Sequence, residues 1–255
     1  MIKKIFISIC CLSMGIGQEM TAFDIMGKVL NVTKPNTSIS DIKLEIIRIK
    51  RGKEKIKVRE FTRFQKNYKS GIFKFKSLAR LKKPQTVKGT GLLTWAYKNG
   101  KTDQWFFLPK LKTVKRVKSK ERSKSFMGTD FIYEDLESRK LGQDSLAFIG
   151  VEYINGRHCR VIMAWPKNES TYHSRKIWVN SEYWKIQKIE FYSQETQKLK
   201  TLTILDFIES NGFVLPGKMV MAKEDGKRTV MEIKNFQSNV GLKDEIFSES
   251  YLIKF

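Results

Sequence analysis

Cysteine, histidine and proline are scarce in this chain of 255 residues, which has three, two and five of them. Cys10 and Cys11 fall in the first stretch, so Cys159 is left alone and a disulfide-stapled scaffold is excluded. His158 and His173 fall on adjacent expected strands, at registers about 20 Å apart. They cannot share a metal, and His158 and Cys159, as strand neighbours, point to opposite faces. No HExxH, CxxC or GxSxG pattern occurs. Gly89-Thr90-Gly91 lacks the Lys-Ser/Thr ending of a phosphate loop and leads into a strand. Beyond the N-terminus no apolar run approaches the roughly 18 residues of a membrane-crossing helix. These absences predict no metal, no cofactor, no catalytic residue and no enzymatic activity.

Acid is also in deficit. Asp and Glu number 26 against 49 Lys and Arg, a net charge of +23. A hydrophobic share of 41%, with 12% aromatics, is nevertheless ordinary for a folded chain and too high for a disordered basic tail. Residues 1–17, MIKKIFISICCLSMGIG, have a short cationic start and an apolar run of signal-peptide length, with cleavage expected there or as late as residue 22. Ile9 before Cys10 does not suit a lipid-anchor site. The expectation is export to a Gram-negative periplasm, followed by one folded domain over 18–255.

The positive charge is concentrated. Residues 43–124 hold 27 Lys and Arg against five Asp and Glu, whereas residues 125–255 hold 18 of each. Within the block, Asp41–Ile46, Lys55–Arg59 and Lys74–Lys76 alternate polar with apolar, the pattern of a half-buried antiparallel strand. The cations then form the solvent face of a sheet. Lys43, Lys55, Lys57, Arg59, Lys74, Lys76, Lys115 and Arg116 are its expected members, aimed at an anionic surface or polymer.

Strands are expected over 40–50, 54–65, 69–77, 91–98, 102–109, 111–118, 146–154, 157–165, 172–180, 184–193, 199–209, 213–223 and 227–237. Asn99-Gly100, Asn155-Gly156, Asn211-Gly212 and Asp225-Gly226 fall between them, where they favour hairpin turns. A short helix begins near Asp24, read as its N-cap, and ends before Pro35. The fold expected is mainly β: a single antiparallel meander of about 11–13 strands, curling towards a barrel or half-barrel.

One non-β insertion interrupts it, over about 119–143. Thr129 or Asp130 is expected to cap a short helix there, with Glu134 or Asp135 paired to Arg116, Lys118 or Arg122. A general acid/base or cation-binding role for these carboxylates is the less favoured reading. The aromatics permit two readings. Leu93, Trp95, Tyr97, Trp105, Phe107, Trp178 and Phe191 are either core filler or the lining of a greasy ligand cavity.

The series Leu92-Leu93-Thr94-Trp95, Asp103 to Pro109, Val114 to Val117, Ser125 to Phe131 and Tyr133 to Leu136 resembles the LolA-like family of outer-membrane lipoprotein-sorting proteins. Asn211 to Pro216 extends the match. The resemblance implies a periplasmic incomplete β-barrel, its mouth covered by short helices and its cavity holding acyl chains of a lipoprotein or an anionic lipid. It also implies association with an export pump of the RND/MMPL kind. Phe126, Met127, Gly128, Thr129, Asp130, Phe131, Tyr133, Asp135 and Leu136 are then a lid over that cavity or a fixed structural plug. The competing reading is an exported module that binds an acidic polysaccharide through residues 43–124. A polymer binder needs aromatics on the face that carries the lysines, and the alternation places them on opposite faces. Export argues against nucleic acid as a partner, and an anionic membrane surface fits the carrier.

Overall fold

A computed structural model describes residues 20–117, 121–137 and 139–254; the expected export signal at 1–17 lies outside the described residues. An opening helix, α1 (Ala22–Asn31), leads into β1 (Thr37–Lys50), β2 (Lys53–Asn67), β3 (Phe73–Lys83), β4 (Gly91–Tyr97), β5 (Thr102–Leu108) and β6 (Thr113–Arg116). After the insertion come β7 (Asp144–Ile154), β8 (Arg157–Pro166), β9 (Ser174–Asn180), β10 (Lys185–Tyr192), β11 (Lys198–Ser210), β12 (Phe213–Lys223) and β13 (Arg228–Ser238). A short helix, α2 (Glu249–Leu252), follows. No helix among the described residues is long and apolar enough to cross a membrane.

All thirteen strands form one open antiparallel sheet, in the order β6-β5-β4-β3-β2-β1-β13-β12-β11-β10-β9-β8-β7. Every neighbour is a sequence neighbour except β1 and β13, which pair from Ser38↔Ser238 to Ile47↔Arg228. The free edges are therefore β6 and β7, the two strands that flank the insertion. Hairpins carry the meander as the dipeptides predict. Asn155 and Gly156 have φ of 51° and 74°, and Asn211 and Gly212 have 50° and 76°, the left-handed pair whose twist suits a two-residue hairpin.

The sheet curls. Phe106 on β5 and Phe191 on β10 lie eight steps apart in the strand order, about 40 Å in a flat sheet at roughly 4.8 Å per strand. Yet both belong to one apolar cluster, bridged by Phe126, Phe131 and Tyr133 of the insertion. The inner face carries Ile42, Phe61, Ala79 and Leu92 on one side and Met231, Met221, Ile189 and Ile177 on the other. Helix α1 covers the inner face of β7 to β10, with Ile25 fully buried against Ile162, Ala164, Ile177 and Val179. Over β3 to β5 the C-terminal segment covers the outer face. There Phe247 and Leu252 pack on Leu78, Leu93, Trp105 and Phe107.

Local differences from the expectations have local causes. Thr21, not Asp24, caps α1: Thr21 Oγ1 accepts from the Asp24 N–H (3.2 Å) and Asp24 Oδ2 accepts from the Thr21 N–H (3.1 Å). This reciprocal box uses Asp in the position more familiar for Glu. Strand β3 starts later than expected because Gly71, at φ 73°, turns the chain. Strand β6 is short because Lys112 is left-handed at φ 47° after a 3-10 turn over Pro109–Leu111. His173 falls just outside β9, and His158 lies beside Ser181, just past the end of that strand.

The alternation in Lys55–Arg59 does not mark a half-buried strand. Ile56 and Val58 are 54% and 39% exposed, and Lys55 and Lys57 are exposed as well. The β1–β2 hairpin runs out past the strands that would cover it.

The C-terminal segment is held by Arg80 on β3, whose guanidinium donates to the carbonyls of Gly89 (2.9 Å), Leu252 (2.8 Å), Tyr251 (3.2 Å) and Lys254 (3.0 Å). Gly91 lets it approach, since a Cβ there would meet Leu252 Cδ1 at 2.6 Å. Phe247 is 1% exposed, so Phe247→Ala is expected to cost about 3–5 kcal/mol. Urea denaturation followed by fluorescence of Trp95 and Trp105, which lie in the same layer, measures it. A loss below about 1 kcal/mol would mean that the segment does not seal this face.

Candidate functional site: an inner-face cavity and its plug

The inner face is filled at one end and open at the other. At the filled end, Phe126 and Phe131 are each 5% exposed and pack with Leu92, Tyr172, Phe191 and Met221. Met127, Tyr133 and Leu136 surround them. The loop that presents them is tied by an isolated bridge between Ser125 and Ile132 and by left-handed Met127 (φ 54°) and Gly128 (φ 74°). Thr129 Oγ1 donates to the Phe126 carbonyl (2.6 Å) and accepts from the Phe131 N–H (3.2 Å). A 3-10 turn over Tyr133–Leu136 follows.

Each carboxylate of this segment has an assigned partner. Asp130 does not cap the turn: its Oδ2 accepts from Arg48 on β1 (2.9 Å) and from Thr229 on β13 (2.7 Å). Thr129 is no cap either; Ile132 stands at the cap position, and Asp135 within the turn reaches back to accept from its N–H (2.8 Å). Asp135 also accepts from Lys200 on β11 (2.6 Å) and the Tyr172 hydroxyl (2.8 Å). Its lysine is Lys200, whereas the Arg116 expected to pair here binds Asp103 instead. Glu134 does lie near the expected Arg122, at 3.9 Å. Burial alone would raise the Glu134 carboxyl. Donors from Ser170 (2.5 Å) and the Thr171 N–H (2.9 Å), with the Arg122 charge, outweigh it and hold the group below its usual range.

The remaining sequence-named residues are divided between the faces. Leu93, Trp95, Trp105 and Phe107 lie on the outer face under the C-terminal segment, and Trp95 Nε1 donates to the Phe247 carbonyl (2.8 Å). Tyr97 joins them through Phe73, at 5.1 Å between ring centroids. Trp178 is also on the outer face, packed with Cys159 and Val161 beneath Lys176 and Lys188. Phe191 alone faces inward, against Tyr172 and the plug.

The basic residues are divided too. Lys43 pairs with Glu45 at 2.6 Å, Lys76 sits 4.0 Å over the Phe73 ring, and Arg116 binds Asp103. Arg59 shares the inner face with Phe61, in register with Leu44. Lys115 stands beside Phe106 and Tyr133 at the β6 edge. Lys74 donates to the Arg139 carbonyl (3.0 Å).

The open end holds a cavity of about 370 Å³ between the α1–β1 connection and the inner face. Ile42, Leu215, Met219, Met231, Ile233 and Phe236 supply its apolar lining, and Lys34, Arg63 and Lys185 its charge. Ile42 and Met231 also pack in the cluster that contains Met127, so the plug borders the cavity. None of the three cations forms an ion pair among the described residues; the Arg63 guanidinium donates only to the Gln65 amide oxygen. Burial lowers the Arg63 pKa, burial and the Arg63 charge lower Lys34, and burial with the Lys34 charge pushes Lys185 down to about 8. Sequence reasoning missed this cavity. Its trace is the inner row of β1, where Ser38 and Ser40 give way to Ile42 and Leu44. No group of His, Cys, Asp and Glu among the described residues is arranged to hold a metal ion.

Lys200 and Asp135 are 4% and 5% exposed, so removing one partner strands a buried charge. Asp135→Ala is expected to destabilise the protein by about 3–5 kcal/mol, with much of the loss recovered in Asp135→Leu combined with Lys200→Met. Chemical denaturation of the single and double variants reads this directly. Glu134, whose pKa is depressed on folding, stabilises fully above its unfolded value of about 4.3, and that share is lost as pH falls through the lower folded value. The difference in melting temperature between wild type and Glu134→Gln should therefore shrink as pH is lowered from 6 to about 3. A pH-independent difference would show that the carboxylate's ionisation has no part in anchoring the plug.

A family model described as "Uncharacterized protein" matches residues 74–254, most of the described sheet. No curated protein matches the chain. A DUF1329 family protein from Desulfovibrio piger is 25% identical with a TM-score of 0.83, and the match covers 91% of this chain and 97% of that one. An outer membrane lipoprotein-sorting protein domain from Vibrio parahaemolyticus gives the same identity and TM-score over 91% and 98% of the two chains. A LolA superfamily protein from Nitrosomonas europaea, at 19% identity and a TM-score of 0.68 over 91% and 99%, shares the fold. The chain belongs to this DUF1329-like family.

Proposed function

We propose that this protein is a non-enzymatic periplasmic carrier that holds an acyl chain of a lipoprotein or an anionic lipid on the inner face of its sheet and moves it towards the outer membrane. The observation that carries this reading is the apolar cavity bordered by the Phe126–Leu136 plug, in a fold shared with a lipoprotein-sorting domain. Its volume of about 370 Å³ falls at the lower end of the roughly 300–1,000 Å³ common for ligand sites. Each buried methylene contributes about 0.8 kcal/mol. A chain longer than the resting cavity needs more room, and outward movement of Met127 and its neighbours would add the surface of Leu92, Phe106 and Met221. The plug is in this reading a lid.

The β1–β2 hairpin supports reversible contact with an anionic leaflet. Exposed Ile49, Ile56 and Val58 share the projecting segment with Lys50, Arg51, Lys53, Lys55 and Lys57. Each well-placed cation contributes about 1 kcal/mol at such a surface, screened by salt. The donor would be a membrane or an RND/MMPL-type pump, as the family resemblance suggests.

Lipid mass spectrometry of the chain, expressed with its N-terminal stretch in a bacterial periplasm and purified without detergent, should find near-stoichiometric phospholipid or acylated species. A lipid-free protein that binds anionic polysaccharide in a salt-dependent way would overturn the carrier. In vesicle sedimentation, Ile49→Ser with Ile56→Ser should weaken binding to phosphatidylglycerol vesicles at least fivefold. No change would remove the hairpin from the membrane contact.

A further inference from the structure

We propose that Lys34, Arg63 and Lys185 form an interior cradle for the anionic head of the amphiphile whose tail lies on the apolar lining of the same cavity. The inference rests on the carrier reading and specifies its cargo: one negatively charged head, recognised inside the protein and not by the exposed cations of the basic block.

The three cations come from separate places in the chain. Lys34 lies in the α1–β1 connection, Arg63 in the middle of β2 and Lys185 at the start of β10, five strand steps from β2. The curl of the sheet brings them to one cavity. Where the inner face meets the plug, two buried cations are matched: Arg48 has Asp130 at 2.9 Å and Lys200 has Asp135 at 2.6 Å. At the cavity end there is no carboxylate partner among the described residues. Lys74, whose pKa burial and the Lys34 charge lower, adds another cation nearby. Grouping partly desolvated like charges opposes folding. An anion entering the cavity relieves their mutual repulsion and supplies the missing acceptors, in bidentate geometry at Arg63. The apolar lining of Ile42, Met219, Met231 and Ile233 gives a free small anion nothing to bury and gives an acyl chain its contact surface. Charge and lining together describe an anionic amphiphile.

The test uses the delipidated full chain and calorimetry with two single-chain lipids of equal tail, palmitoyl lysophosphatidylglycerol (anionic) and palmitoyl lysophosphatidylethanolamine (zwitterionic), with inorganic phosphate as a third ligand. Wild type is expected to bind the anionic lipid at least tenfold more tightly than the zwitterionic one, and phosphate far more weakly than either. Arg63→Gln and Lys185→Gln should each cut anionic affinity three- to tenfold and leave zwitterionic affinity within twofold. Lys167→Gln, at an exposed lysine outside both the cavity and the hairpin, should change neither. The ligand-free melting temperature of Lys34→Gln or Lys185→Gln should rise, because a repulsion is removed; a fall would assign these residues to structure and overturn the cradle. Equal affinity for both lipids would overturn the cradle and leave the carrier standing. Binding of neither lipid would overturn both. Phosphate bound as tightly as the anionic lipid would overturn the amphiphile in favour of a free-anion site.

Discussion

The pairing of β1 with β13 places every other feature of the molecule. A meander of thirteen strands whose first and last members pair has its opening in the middle of the sequence, between β6 and β7. Exposed strand edges invite pairing with other chains, and here the connection between the two edge strands turns inward. Its aromatic residues Phe126 and Phe131 bridge the two sides of the curl. Arg48 on β1 and Thr229 on β13 reach Asp130 from the very strands whose pairing closes the far side. The seam and the plug thus depend on one another: without the β1–β13 register, Asp130 loses two donors.

The inner face carries charge at both ends, handled in opposite ways. At the plug end Arg48 and Lys200 each stand against a carboxylate, and Asp130 and Asp135 have further donors in Thr229 and Tyr172, which is the condition for a buried ion pair to be tolerated. The result fixes geometry more than it adds stability. At the cavity end Lys34, Arg63 and Lys185 stand against one another, and Lys185 is already pushed down to about 8. Perturbed groups of this kind gather at functional sites because their cost is recovered by a ligand. One face of one sheet therefore has a settled end and an unsatisfied one.

Much of this was legible in the sequence. About 11–13 strands were expected and thirteen form among the described residues, because period-two alternation and Asn-Gly turns are local signals that tertiary context here leaves intact. The insertion was legible as a break in that pattern. What periodicity does not reveal is which face turns inward when both are apolar. Leu92 and Leu93, or Trp105, Phe106 and Phe107, are consecutive large residues, and a strand buried on both sides reads as a continuous apolar run. Leu92 and Phe106 meet the plug, while Leu93, Trp105 and Phe107 meet the C-terminal segment some 150 residues later. That cover depends on Arg80 gripping three distant carbonyls, of Tyr251, Leu252 and Lys254, for which no spacing rule exists. The plug's partners Lys200 and Thr229 were hidden for the same reason: separations of 65 and 99 residues leave no local trace.

The excess positive charge takes a different meaning once it is placed. Had the block over 43–124 formed one continuous face, its summed field would be the natural recognition element. Instead, parts of it are neutralised within the fold, as in Lys43–Glu45, Lys83–Glu60 and Arg116–Asp103. Exposed pairs of this kind contribute little to stability and shorten the reach of the field. An unneutralised part of it stands on the β1–β2 hairpin, beside exposed isoleucines. Long-range attraction of that sort raises encounter rates and falls with salt, and it distinguishes poorly among anionic partners. Discrimination requires charges that are desolvated and fixed, which on this molecule are the three inside the cavity. The carrier reading thus divides approach and selection between two separate sets of cations, and the composition bias, which includes Arg63 but neither Lys34 nor Lys185, does not tell them apart.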